Sequence, residues 1–146
     1  MSDLEPRAEL EQIDRYEFQV QFPGSPYGPL RVDEAPPIGK AKGPFPVESL
    51  AMAVGHCMSS TLFNTLERAH IAASPLRTTV RVEVGRNEKG RLRVRRLGVE
   101  IQTAPQNESD RERFDHCVEI FADYCTVSGA VRDGIPIESN VVRPYP

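Results

Sequence analysis

Two of the three cysteines stand in contexts suited to chemistry. Cys57 lies within Glu48-Ser-Leu-Ala-Met-Ala-Val-Gly-His-Cys57-Met-Ser-Ser-Thr, a small-residue apolar helical stretch; Cys125 closes a second helical pattern in Phe121-Ala-Asp-Tyr-Cys125-Thr-Val-Ser-Gly-Ala-Val. Two thiols far apart in sequence that a fold brings together can cycle between dithiol and disulfide, and the thiolate is the reactive form. The plain alternative for either is a small core residue, because free cysteine is among the most buried residue types. Cys117 is read that way. His56 projects about 100° away from Cys57 on a helix, so it is poorly placed as its base and is read as a helix-packing or hydrogen-bonded residue. Neither His56-Cys57 nor His116-Cys117 converges as zinc ligands must, so no metal site is expected, and no cofactor. Glu48, nine residues before Cys57, sits on the opposite side of the helix and ~13 Å along its axis. It cannot touch Cys57 through the helix, but it can meet a cation arching over from the loop before Pro46.

The rest of the chain must position these thiols. Its 146 residues are expected to form one domain, 1–146, large enough to bury a real core. A net charge of −3 argues against nucleic acid as the main partner, and no long apolar run suggests a membrane span. The polar start, Met1-Ser-Asp-Leu-Glu-Pro-Arg, does not read as a signal peptide, so a cytoplasmic chain is expected. Three cysteines there are not a structural disulfide framework, so a disulfide would be transient and catalytic.

Hydrophobic periodicity predicts the elements. Residues 8–13 fit a strand or a helical turn. Tyr16–Phe22 alternates as a half-buried strand, and Leu30–Asp33 is a short one. A loop rich in Pro, Gly and Lys follows. Residues 46–70 form the main helix, with Pro46 in its first turn and Glu48 favouring the dipole. Being apolar almost all round from Leu50 to Phe63, it should be buried on most sides. Arg77–Val84 and 91–103 pair across a hairpin, leaving Arg91, Arg93 and Arg95 on a solvated face. The second helix runs over 110–124, with Cys125 at the core side of its end. Residues 127–132 are read as a further short helix, and Pro136–Val142 as a closing strand. The order β, α, β, β, α, β predicts an α+β fold: an antiparallel sheet with helices on one face.

The segment Val32-Asp-Glu-Ala-Pro-Pro-Ile-Gly39, then Gly43-Pro-Phe-Pro-Val-Glu-Ser-Leu-Ala-Met-Ala-Val-Gly-His-Cys57, resembles the osmotically inducible protein C / organic hydroperoxide resistance (OsmC/Ohr) family, in its OsmC-like branch. Tyr124-Cys-Thr-Val-Ser-Gly-Ala-Val131 resembles the motif of that family's second cysteine, and Gly134-Ile-Pro-Ile137 the strand after it. The resemblance covers residues 8–143. It implies an intertwined homodimer in which antiparallel sheets from both chains wrap two central helices. It also implies thiol-dependent reduction of organic hydroperoxides, hydrogen peroxide being a further substrate, in an antioxidant stress response. Cys57 would be the peroxidatic and Cys125 the resolving cysteine, reset by a dithiol or lipoyl-protein reductant. Ohr-type members have a Glu directly after the motif proline, paired with an Arg. Here Val47 holds that place and Glu48 follows it, with Arg31 the nearest Arg and Lys40 and Lys42 behind it. Phe45 and Tyr124 are the candidate pocket residues. A non-catalytic relative that binds a small apolar ligand or senses oxidants is the alternative.

Overall fold

A computed structural model describes residues 5–142; the first four residues of the N-terminal segment read above lie outside it. The chain divides into two compact units, 5–52 with 81–97 and 53–80 with 98–142, each described by itself. Instead of one sheet, the strands form two. β1 (Glu9–Asp14), β2 (Glu17–Gln21) and β3 (Leu30–Val32) make an antiparallel three-stranded sheet in that order, and β4 (Arg77–Arg86) pairs with β5 (Leu92–Gln102). The stretch read as strand or helical turn thus resolves as strand from Glu9 onward. Three helices follow the sequence pattern more closely: α1 (Pro46–Arg68), α2 (Arg111–Ile120) and α3 (Thr126–Asp133). No helix among the described residues is long and apolar enough to cross a membrane.

In the first unit, Asp33 organises the loop that leads into α1. Its buried carboxylate accepts the backbone N–H of Glu34 at 2.7 Å, of Lys40 at 3.1 Å and of Lys42 at 3.2 Å. Burial works against its charge, and the three amides with the Lys42 ammonium outweigh it, holding the carboxyl below its ordinary value. The loop folds so tightly that a Cβ on Gly39 would lie 2.0 Å from the Glu34 carbonyl oxygen, and one on Gly43 2.1 Å from that of Arg31. The loop hands over to α1 at Phe45, whose N–H donates to Glu48 Oε1 at 3.2 Å; this is the reach-back half of a capping box.

The second unit holds the apolar core: Leu62, Leu66, Ile71, Phe114, Cys117 and Phe121. α1 ends in a Schellman turn. Ile71 N–H donates to the Leu66 carbonyl at 2.9 Å and His70 N–H to that of Glu67 at 3.0 Å, with His70 at φ 57°. The turn folds Ile71 back onto Leu66, joining the helix end to the core. Arg113 of α2 donates to the Ala69 carbonyl, and Cys117 S–H to that of Thr65 at 3.9 Å. Gly55 is required on α1 because a Cβ there would meet Val80 Cγ2 at 2.7 Å.

Three expectations are corrected. α1 is not buried on most sides within the chain: only Val54, Gly55, Leu62 and Leu66 are, while Met52 is 57% and Phe63 56% exposed. The second helix stops at Ile120; residues Phe121–Tyr124 tighten into a 3-10 turn and Cys125 is extended, at φ −79° and ψ 113°. Residues 136–142 form no strand. Gly134 ends α3 at φ 82°, and the segment beyond it pairs with no strand edge among the described residues, so Ile137 is 89% exposed. A strand without a partner cannot satisfy its backbone except in water.

Two predictions follow from these contacts. A folded carboxyl held below its unfolded value contributes stability above that value and loses it as pH falls through the folded one. The stability gap between wild type and Asp33→Asn, read by urea unfolding, should be open at pH 7 and narrow as pH drops below the ordinary 3.8. His70→Gly should raise stability by about 1 kcal/mol, because glycine alone adopts the left-handed conformation freely; thermal unfolding checks it.

Candidate functional site: a dithiol at a helix N-terminus

Cys57 lies midway along α1, and Cys125 is the residue on which α3 begins. The break that ends α2 early and starts α3 carries the second thiol across to the first. Cys125 S–H donates to Cys57 Sγ at 3.2 Å, and all three cysteines are free thiols. The pair needs to close by roughly 1.2 Å to reach the ~2.0 Å of a disulfide bond.

Both sulfurs face the first amides of α3. Val127 N–H donates to Cys57 Sγ at 3.5 Å. The Ser128 backbone N–H favours the ionised form of Cys125, as a side-chain acceptor at an N-cap is favoured by the third amide of its helix. For the Cys125 thiol, burial opposes ionisation. The Ser128 hydroxyl and N–H, Cys57 and Thr61 outweigh it and hold the thiol below its usual value. The sulfur–sulfur contact therefore serves either proton position: Cys125 donating to Cys57, or Cys57 donating to a Cys125 thiolate. Thr61, one turn beyond Cys57, gives its single hydroxyl hydrogen to the Cys57 carbonyl at 2.8 Å while Cys125 is a thiol, and can turn it to Cys125 only when that sulfur is charged.

Access separates the two thiols. Cys125 is 3% exposed, whereas Cys57 is half-buried and lines a groove of about 540 Å³. Thr61, Asn64 and Arg68 continue its wall at the helical spacing of Cys57's own face, and Ile120 and Tyr124 close the other side. Tyr124, a sequence candidate, thus lines the same groove as Cys57. Glu48, Phe45 and Arg31 belong to the first unit, where Glu48 caps α1 through Phe45 and Arg31 is an exposed residue of β3. Among the described residues neither Glu48 nor Arg31 forms an ion pair. His56 is exposed, not packed.

Sequence reasoning passed over Arg68, Thr61 and Ser128. The first two were detectable at i+11 and i+4 from Cys57. Ser128 was hidden because Cys125 read as the end of one helix and not the start of the next.

Residues 39–140 match the family model described as OsmC-like protein. The chain belongs to this OsmC-like family. Solved structures agree. An OsmC-like protein of unknown function from Vibrio cholerae superposes with a TM-score of 0.75 at 12% identity, covering 87% of this chain and 93% of that one. An organic hydroperoxide resistance protein from Elizabethkingia anophelis gives 0.66 at 21% identity, covering 90% and 91%. The organic hydroperoxide resistance protein OhrB of Bacillus subtilis gives 0.61 at 18%, covering 88% and 91%. A sequence comparison with curated proteins finds no match. At these identities the OsmC-like fold is what the structures share with this chain.

Diamide oxidation of this OsmC-like protein should join Cys57 to Cys125 and leave Cys117 alkylatable. Peptide mapping after blocking free thiols reads the pairing, and any bridge involving Cys117 would contradict the geometry.

Proposed function

We propose that this protein is a cysteine-based hydroperoxide reductase, with Cys57 the peroxidatic and Cys125 the resolving thiol. The observation that carries the reading is the 3.2 Å sulfur contact between an accessible and a buried thiol. Loss of the Cys57 proton to solvent through its groove leaves a thiolate that accepts the Cys125 S–H and the Val127 N–H. The thiolate attacks the terminal oxygen of ROOH: an S–O bond forms, the O–O bond breaks, and the alkoxide takes a proton to leave as ROH. Cys57 is now a sulfenic acid, and Cys125 displaces its oxygen as water to form the disulfide. A dithiol or lipoyl-protein reductant restores both thiols. The α3 amides support the thiolate role that a paired cation plays elsewhere, and Arg68 supplies a positive charge on the groove wall.

The exposed Met52 and Phe63 on α1 support a homodimer in which a second copy covers the helix and completes a single OsmC-like domain per chain. The cytoplasm, as part of a stress response, is the compartment in which a cycling dithiol is kept reduced.

A second reading has one observation in its favour. An apolar cavity of about 540 Å³ in the first unit, lined by Leu10, Phe18, Val20, Leu30 and Met52, has the size of a small-ligand site. In that reading the protein binds an apolar ligand or senses oxidants without turnover.

With saturating dithiol, wild type should consume cumene hydroperoxide catalytically, and Cys57→Ser should lose at least about 100-fold of that rate. Cys125→Ser should consume one equivalent without reductant and then over-oxidise to sulfinic acid, read by intact mass. Turnover that survives in Cys57→Ser sinks the reading. A melting temperature raised by apolar ligands, with no turnover, would favour the second.

A further inference from the structure

We propose that Ser128 is a positioning residue that makes Cys125 the departing sulfur, so that a dithiol reductant attacks the Cys57 sulfur of the oxidised pair. The inference rests on the redox cycle proposed above.

Ser128 is the third residue of α3, counted from its Cys125 N-cap. A side chain at that position ordinarily reaches back to the N-cap amide. Here the Cys125 N–H is already taken by the Ala122 carbonyl at 3.3 Å. The Ser128 hydroxyl, on a residue 7% exposed, has no hydrogen-bond partner in the dithiol form. A buried hydroxyl left unpaired is unfavourable and calls for a use. Its use is at Cys125: the third residue of a helix lies over the side chain of its own N-cap, here the Cys125 sulfur, and both the hydroxyl and the N–H of Ser128 favour charge on it. The site is incomplete in the dithiol and becomes satisfied when Cys125 carries a full negative charge. Cys57 has no such hydroxyl; its sulfur receives the single Val127 amide.

Exchange converts this asymmetry into direction. A reductant thiolate, RS⁻, attacks one sulfur of the Cys57–Cys125 bond. A new R–S–S bond forms to that sulfur, the old bond breaks, and its electron pair leaves on the other sulfur as thiolate. The better-stabilised leaving thiolate departs faster. Ser128 therefore favours attack on Cys57, and the groove of Asn64, Arg68 and Tyr124 opens on that same sulfur. The second thiol of the reductant then attacks its own sulfur of the mixed disulfide. A ring disulfide closes and Cys57 is released as thiolate. The reductant has given up two electrons and two protons, and the protein has gained them.

Access alone would also direct attack to Cys57, so the test must isolate the hydroxyl. Protein oxidised with diamide is treated briefly with N-acetylcysteine, a monothiol that cannot close a ring, so the first mixed disulfide is trapped before a second molecule attacks it. The mixture is quenched in mild acid with N-ethylmaleimide, which blocks free thiols under those conditions, and adducts are mapped by mass spectrometry. Wild type and Ser128→Thr should carry the adduct on Cys57 in at least about tenfold preference. Ser128→Ala should react several-fold more slowly and lose most of that preference, following the leaving-group dependence of exchange. An adduct chiefly on Cys125 in wild type overturns the proposal without any variant. So does a Ser128→Ala protein whose rate and ratio match wild type. If diamide forms no Cys57–Cys125 bond, the redox cycle itself falls and the inference with it. Diamide stands in for peroxide, so a failure of peroxidase activity alone leaves the regiochemical result readable.

Discussion

The site depends on one break in the chain. Between Ile120 and Thr126 the backbone leaves α2, tightens through a 3-10 turn, and restarts as α3 with Cys125 as its first cap. Had α2 continued, Cys125 would ride its apolar stripe like Cys117, one more buried thiol. The restart instead places fresh backbone amides next to two sulfurs. Unpaired N–H groups at a helix start are available to whatever negative charge forms near them, and here two thiol sulfurs lie nearest. Charge forming on either sulfur thus meets main-chain donors, which need no side-chain ordering.

That arrangement also explains why the surrounding residues are small or hydroxylated. Gly55, Ser59, Ser60 and Thr61 flank Cys57 on α1. Gly55 admits Val80 closely, and Ser59 reaches Thr78 at 2.6 Å while donating to the Gly55 carbonyl. Bulky side chains at these positions would hold the flanking backbone away. The apolar anchor lies further along the same helix, at Leu62 and Leu66, so packing and chemistry occupy successive turns and do not compete for one face.

Much of this was legible in the sequence. Alternation located β2, β3, β4 and β5, and the Pro46 and Glu48 signals located the start of α1. The two cysteine motifs identified the family that the match over residues 39–140 bears out. Periodicity failed where it is weakest. The stripe Phe114, Cys117, Phe121 continues in register through a 3-10 turn, so nothing in the spacing reveals that the helix has already ended. The same reasoning read Pro136–Val142 as a strand because alternation reports what a segment can bury and not whether an edge is there to receive it. Arg68 sits in the polar last turn of α1, yet its spacing from Cys57 already puts it on the thiol's face.

Cys117 gives the molecule an internal clock for opening. Its thiol is packed in the core and bonded to the Thr65 carbonyl, out of reach of solvent while α2 lies on α1. A thiol reagent reacts with it only in the fraction of time that the two helices separate. When closing is fast relative to labelling, the rate of that reaction is proportional to the open population, and so reports the free energy of local separation. The bystander cysteine thereby distinguishes two kinds of loosening on oxidation: strain confined to the Cys57–Cys125 junction leaves its rate unchanged, and strain transmitted along α1 accelerates it.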